Sequence, residues 1–206
     1  MPLTVLPRTT PRGRIGAGFS PAAHRYRLYL SAGCPRSTRV RTAVAFLGIE
    51  RCVGITLLAA PAAHEALRRA YEAAGHPYDP AASTTPALCD DWSGRVISDH
   101  TPHILEDLAV RLAGHPELAP TAPAAHARAV LTLSDATAAR PEREDALDLL
   151  ERSLAVRPYA LGDRPTLADV DLWVALRHPA PLPATGPHLR AYLHRLAALP
   201  AFTTAP

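Results

Sequence analysis

Cys34 is the residue in this 206-residue chain whose setting most clearly points to chemistry. It opens the run Cys34-Pro35-Arg36-Ser37, after an alternating apolar stretch and at the start of a helical pattern. A cysteine at such a junction meets the unpaired N–H groups of the first turn and the positive end of the helix macrodipole. Both favour the thiolate over the thiol. Arg36 and Arg39 add positive charge nearby. Ser37 stands where a dithiol redox enzyme carries its second cysteine, so disulfide cycling within the motif is not expected. A single activated thiolate points instead to attack on a thioether or disulfide, with an external thiol completing the cycle. The competing reading is an inert cysteine packed as a small hydrophobe.

Three further places bear on a site. Thr85-Pro86 precedes the short apolar run Ala87–Cys89. A cis bond there would bring the Thr85 backbone opposite Cys34, ready to pair with an extended, peptide-like thiol; the alternative is an ordinary trans proline at a strand edge. Ser98-Asp99-His100-Thr101 leads into a helix, with Thr101 expected as N-cap and Pro102 as the first helical residue. Its free N–H groups could hold a carboxylate or serve the helix alone. Thr166-Leu167-Ala168-Asp169 reads as a capping box, a structural device worth on the order of 1 kcal/mol.

The elements that must position these residues follow from periodicity. Tyr26, Leu28 and Leu30 alternate as a strand, and a helix over about 35–48 ends at Gly48. Val53, Ile55 and Leu57 alternate as a second strand, and Ala62–Ala74 forms an Ala-rich helix. A turn region His76–Thr84 leads to Ala87–Cys89 and Val96–Ile97, which form a hairpin. Ile104, Leu105, Leu108 and Leu112 give the next helix its stripe. The order β-α-β-α-β-β-α is that of a thioredoxin-like domain. After Pro116, Pro120 and Pro123, four helical patterns follow at about 124–139, 142–156, 166–178 and 187–198. The fold class is therefore α/β plus all-α: a thioredoxin-like domain over 24–113 and a helical domain over 124–206. Residues 1–23, rich in Pro, Gly and Arg, read as a flexible or loosely draped arm.

Composition narrows the function classes. Hydrophobic residues make up 48% and charged residues 20%, which suits a globular protein with a sizeable core. The net charge of +3 is too small and scattered to argue for nucleic acid. No apolar run approaches the roughly 20 residues that span a bilayer, and no secretory h-region is evident. The chain has no Lys, Asn or Gln, so all 22 basic residues are Arg, as expected from a GC-biased genome. Cys34, Cys52 and Cys89 are odd in number with no close pair, which excludes a disulfide framework and a C-x-x-C zinc site. Cys52 and Cys89 fall within strand patterns and read as core. His100 and His103 lack a third ligand, so no metal is expected. A cytoplasmic protein with a free thiol is the natural reading.

These residues together resemble the glutathione transferase superfamily, and most nearly its xi class, the glutathionyl-hydroquinone reductases. The stretch Tyr26 to Cys34-Pro35 is similar to the strand that ends there in Cys-Pro-Trp-Ala. Thr85-Pro86-Ala87-Leu88-Cys89-Asp90 and Gly94-Arg95-Val96-Ile97-Ser98 resemble Val-Pro-Val-Leu-x-Asp and Gly-x-Ile-Val-Ser. Leu161-Gly162-Asp163-Arg164 through Thr166-x-x-Asp169, and Tyr192-Leu193 through Leu199-Pro200-Ala201-Phe202, match the C-terminal signature. The resemblance covers about residues 24–202. It implies a homodimer that reductively removes a thiol from a quinol conjugate. Cys34 would attack the substrate sulfur, and a second thiol molecule would free the enzyme. Thr85 and Pro86 would hold the cysteinyl part of glutathione, and His100 and Thr101 fall on the Glu-Ser pair that reads its γ-glutamyl end.

The departures from the family shape the expectation. Arg36 replaces the family Trp, removing an aromatic wall and adding charge to the thiol-binding side. His100 replaces the acid that pairs with the γ-glutamyl ammonium, though Asp99 next to it offers a carboxylate. The chain stops soon after Phe202, short of the family's C-terminal extension and its tyrosines. Three functions follow. One is a cysteine-dependent thiol transferase or reductase acting on thiol–electrophile conjugates. Another is a transferase that adds a thiol to an electrophilic metabolite. The last is a binding module on the same fold. The expected co-substrate is a low-molecular-weight thiol, glutathione or mycothiol, the latter suggested by the composition bias.

Overall fold

A computed structural model describes residues 10–79, 85–135, 137–177 and 186–203. Residues 1–9 of the expected arm, Pro80–Thr84 of the turn region, His178 and the last three residues lie outside these. The chain divides into a mixed sheet with helices and a helical part. The sheet has strand order β4-β3-β5-β6, with β3 Tyr26–Leu30, β4 Val53–Leu57, β5 Ala87–Asp90 and β6 Arg95–Ser98. β4 runs parallel to β3, and β5 and β6 complete an antiparallel edge. The parallel pair needs a crossover, supplied by α1, Pro35–Phe46. Helix α2, Pro61–Ala73, follows β4 and covers the other face, where Leu67 and Tyr71 pack with Tyr29, Ala87, Cys89 and Val96.

The alternation of β3 places Tyr26, Leu28 and Leu30 in the main core beneath α1. In β4 only Val53 is buried; Ile55 and Leu57 are 38% and 45% exposed on the outer strand of the sheet. Their alternation marks a strand correctly but not an inward face. Pro35 is suited to the first turn of α1, and Gly48, at φ +67°, lets the chain leave its other end.

After β6 comes α3, Thr101–Glu106, which widens into a π-helical turn over Asp107–Leu112. The helical part then contains α4 Ala124–Ser134, α5 Arg140–Leu154, α6 Leu167–Arg177, α7 Pro187–Ala197 and α8 Pro200–Thr203. Helix α6 is buried along most of its length and packs on α1, so the two parts share one core. At its start Asp169 is fully buried. It accepts hydrogen bonds from Ala160 N at 2.8 Å, Thr166 N at 2.8 Å and the Tyr192 hydroxyl at 3.0 Å. It therefore joins a loop, a helix start and α7, a wider role than a capping box.

The described part of the N-terminal arm is not loosely draped. Gly13 N donates to Ile97 O at 2.8 Å, and Arg12 bridges to Ser98, so the segment covers the outer edge of β6. Two short strands follow, β1 Arg14–Ile15 and β2 Gly18–Phe19. Ile15 is 2% exposed, and the buried Asp107 accepts from both Ile15 N and Arg14 Nε at 2.8 Å. A capped sheet edge and a paired buried carboxylate outweigh the Pro- and Gly-rich composition.

Candidate functional site

Cys34 is the N-cap residue of α1, placed there by a turn through Gly33 at φ +69°. It is part-buried. The Thr85–Pro86 bond is cis, and Thr85 O lies 4.0 Å from Cys34 Sγ, where it can accept the thiol proton. Burial alone would push the thiol up. The N–H of Ser37, its hydroxyl, the N–H of Arg36 and the Arg36 charge outweigh that, and the thiol is held below its ordinary range. The neutral thiol forms no full cap bond, so these donors act once the sulfur is charged.

The other two cysteines differ. Cys89 is 3% exposed within β5, and burial pushes its thiol far up. Cys52 is a free cysteine on the loop before β4, packed against the main core. Alkylation at mildly acidic pH should therefore modify Cys34 first, as read by peptide mapping. Faster labelling of Cys52 or Cys89 would overturn the assignment.

Arg36 sits in the first turn of α1, and its charge acts on the sulfur. Arg39 does not. Its Nε meets Asp171 Oδ1 of α6 at 2.9 Å as a charge pair, off the hydrogen-bonding direction. It ties α1 to α6 and is not among the main influences on Cys34, where the sequence had placed its charge.

Two serines complete the surroundings. Ser31 Oγ and Thr85 Oγ1 lie 2.9 Å apart, and Ser31 N donates to Ser37 Oγ at 3.1 Å. The end of β3, the start of α1 and the cis-proline segment are thus bonded together around the sulfur. Sequence reasoning noted Ser37 only as a missing cysteine and passed over Ser31. A serine directly after β3, near the helix start, was the available signal. A recess of about 320 Å³ adjoins this corner, lined by Leu30, Ser31, Gly33, Ser37, Thr38 and Leu57 among others. Larger hollows, of about 500 and 590 Å³, are lined by α4 and α5 and by the α2 region; Cys34 lines none of the three, and the recess beside Ser31 and Ser37 is the one next to it in the chain.

The start of α3 differs from its expected form by one residue. His100 is the N-cap, without a side-chain cap bond, and Thr101 is the first helical residue. His100 N donates instead to Ser98 Oγ at 3.1 Å. Thr101 is 4% exposed, and its hydroxyl has no hydrogen-bond partner. The rings of His100 and His103 meet edge to face with centroids 4.3 Å apart. Burial, then the Arg12 charge, lowers His100 from the usual histidine range and favours its neutral form. Asp99, the neighbouring acid, accepts the Tyr71 hydroxyl at 3.0 Å. The described residues contain no cluster suited to a metal. No described helix is long and apolar enough to cross a membrane.

Residues 112–200 match the family model described as glutathione S-transferase, C-terminal domain. No curated protein matches the chain. Among solved structures, the glutathione S-transferase Xi of Phanerochaete chrysosporium is 20% identical with a TM-score of 0.67, over 98% of this chain and 88% of that one. Glutathione transferase Xi 1 of Trametes versicolor is 18% identical with a TM-score of 0.64, over 95% and 87%. The glutathione-bound structure of YqjG, a glutathione transferase homolog from Escherichia coli K-12, is 17% identical with a TM-score of 0.67, over 92% and 78%. At such identities the likeness is one of fold. A thioredoxin-like part that opens its first long helix on Cys34 is joined to helices of which residues 112–200 match the C-terminal domain model, and the whole has the fold of the glutathione transferases.

Proposed function

We propose that this protein is a cysteine-dependent thiol transferase or reductase that removes or exchanges a low-molecular-weight thiol on a conjugated electrophile such as a quinol. The observation that carries the reading is the part-buried Cys34 at the start of α1, held below the ordinary thiol range beside the Thr85 carbonyl. In the first step the Cys34 thiolate attacks the sulfur of the conjugate. An enzyme–thiol disulfide forms, the carbon–sulfur bond breaks, and the carbon takes a proton from solvent as the quinol leaves. A second thiol molecule, as thiolate, then attacks that disulfide. It releases a small-molecule disulfide and restores Cys34. The conjugate is reduced and two thiols are oxidised, so electrons balance. Arg36, Thr85 and Pro86 would hold the thiol near the sulfur. The working form would be a homodimer in the cytoplasm with no metal.

The thiol itself is constrained by the start of α3. A γ-glutamyl carboxylate would have to uncover the buried Thr101 hydroxyl, and the matching ammonium would meet His100 and the Arg12 charge, with Asp99 Oδ2 shared with the Tyr71 hydroxyl. Losing a charge-assisted hydrogen bond costs on the order of 1.5–3 kcal/mol, or roughly ten- to a hundredfold in affinity. Glutathione should therefore bind weakly. A thiol without that ammonium, of which mycothiol is a candidate, should bind better. Calorimetric titration with both thiols checks this; micromolar glutathione binding that is lost in Thr101→Ala would overturn it. The reaction class is tested by mass spectrometry after incubation with a thiol conjugate, where a reductant-sensitive adduct on Cys34 is expected. Turnover without any adduct would favour a transferase that adds thiols, with Cys34 only steering the bound thiolate.

A further inference from the structure

Ser37 is 2% exposed and sits at the third position of α1, where a side chain faces the N-cap residue, here Cys34. Its hydroxyl oxygen accepts the N–H of Ser31 at 3.1 Å. A peptide N–H can only donate, and a hydroxyl has one proton, so that proton points away from Ser31. Ser31 is itself fixed, since its own hydroxyl pairs with that of Thr85 at 2.9 Å. The Ser31 N–H thus leaves the Ser37 proton to the other side of the oxygen, free to turn toward the N-cap residue.

The sulfur needs this donor in only one of its two states. As a neutral thiol, Cys34 has the Thr85 carbonyl at 4.0 Å as acceptor for its proton. Once the proton leaves to solvent, the sulfur can only accept, and its partners must be donors. Two of them, the N–H groups of Arg36 and Ser37, belong to any helix start. The hydroxyl does not. We propose that Ser37 is a positioning residue whose hydroxyl donates to the Cys34 thiolate while its oxygen accepts the Ser31 N–H, and so sets the pH at which Cys34 becomes reactive. The proposal rests on Cys34 being the nucleophile.

The ionisation of Cys34 agrees with this geometry, because after burial, which opposes the charged form, Ser37 acts on the sulfur through both its N–H and its hydroxyl. The charged group acting on Cys34 is Arg36, from α1 itself. Across from it, Ser31, Thr85 and Pro86 present no ionisable side chain, and Arg39 is turned to Asp171 of α6. Removing the hydroxyl keeps the Arg36 charge and both N–H groups; it also takes the acceptor from Ser31 N, a loss that is read separately in the melting temperature.

The test is the rate of Cys34 alkylation by iodoacetamide between about pH 4 and 10, in the full chain. The thiolate displaces iodide from the reagent carbon, and peptide mapping separates Cys34 from Cys52 and Cys89. In Ser37→Ala the midpoint of the profile should rise by about one pH unit, so the rate below the midpoint falls about tenfold while the alkaline plateau is kept. Ser37→Thr, which retains a hydroxyl, should hold the wild-type midpoint. A lost contact that served only the fold would lower the melting temperature without moving the profile. A Ser37→Ala midpoint equal to wild type, or a Ser37→Thr midpoint equal to that of Ser37→Ala, overturns the inference while leaving Cys34 as the nucleophile. Failure of Cys34 to alkylate in the wild type overturns both.

Discussion

Cys34→Ser should lower deconjugating activity by roughly 10³-fold or more while leaving the fold intact. The size of the effect follows from what activates the position. Donors at the start of α1 and the Arg36 charge lower a thiol from its ordinary range, but they cannot bring a serine hydroxyl to ionise near neutral pH. A serine nucleophile needs a base within hydrogen-bond reach. Around Cys34 the recorded partners are the Thr85 carbonyl, the Ser37 N–H and hydroxyl, the Arg36 N–H and the Arg36 charge, none of them a base. Serine would keep a short polar side chain facing Thr85 O, so the change in stability should stay within about 1 kcal/mol. Steady-state turnover of a quinol–thiol conjugate, with a thermal melt of each protein, decides the matter. Activity within tenfold of wild type would leave Cys34 a steering role and support thiol addition in its place.

How far this site was legible in the sequence depends on the range of the interactions that build it. The strand Tyr26–Leu30, the turn at Gly33 and the helix from Pro35 are local, and each carries a periodic or steric mark. Cys34 could be placed at a helix start on those marks alone. The serine bonds to Ser37 and Thr85 could not, because Ser31 joins residues six and 54 positions away through atoms that leave no pattern. Arg39 misled for a related reason. Sequence put its charge near Cys34, whereas Asp171 lies on a helix far along the chain and draws it to the interface. The arm is the largest difference. Pro and Gly content suggested a loose segment, but Asp107 waits 92 residues away with a carboxylate that needs donors, and Ile15 N and Arg14 supply them. At α3 the helix starts one residue before the position that the Thr-Pro signal marks, with His100 as N-cap and the Thr101 side chain buried in the first turn.

Asp169→Ala should cost about 3–5 kcal/mol of stability, more than a lone cap would. The carboxylate is fully buried and works on both sides. Oδ1 accepts Ala160 N and the Tyr192 hydroxyl, and Oδ2 accepts Thr166 N at 2.8 Å with the Thr166 hydroxyl at 3.3 Å. Alanine leaves those donors buried without an acceptor, and each unsatisfied donor costs about 1–3 kcal/mol before the structure relaxes. Burial works against the carboxylate and raises its pKa, so part of its strength offsets its own desolvation. That is why the expected loss stays below the sum of the separate bonds. For a chain of this size the loss corresponds to a fall in melting temperature on the order of 10 °C. Asp169→Asn should fall between the two, since an amide can accept on one side but turns N–H groups toward donors on the other. The alkylation rate of folded Cys34 should not change in either variant, because Asp169 joins Ala160, Thr166 and Tyr192 within the helical part and bonds to nothing at the start of α1. Thermal melts and Cys34 labelling, measured on the same samples, separate the two roles. A variant as stable as wild type but with slowed labelling would mean that Asp169 acts on the site and not on the fold.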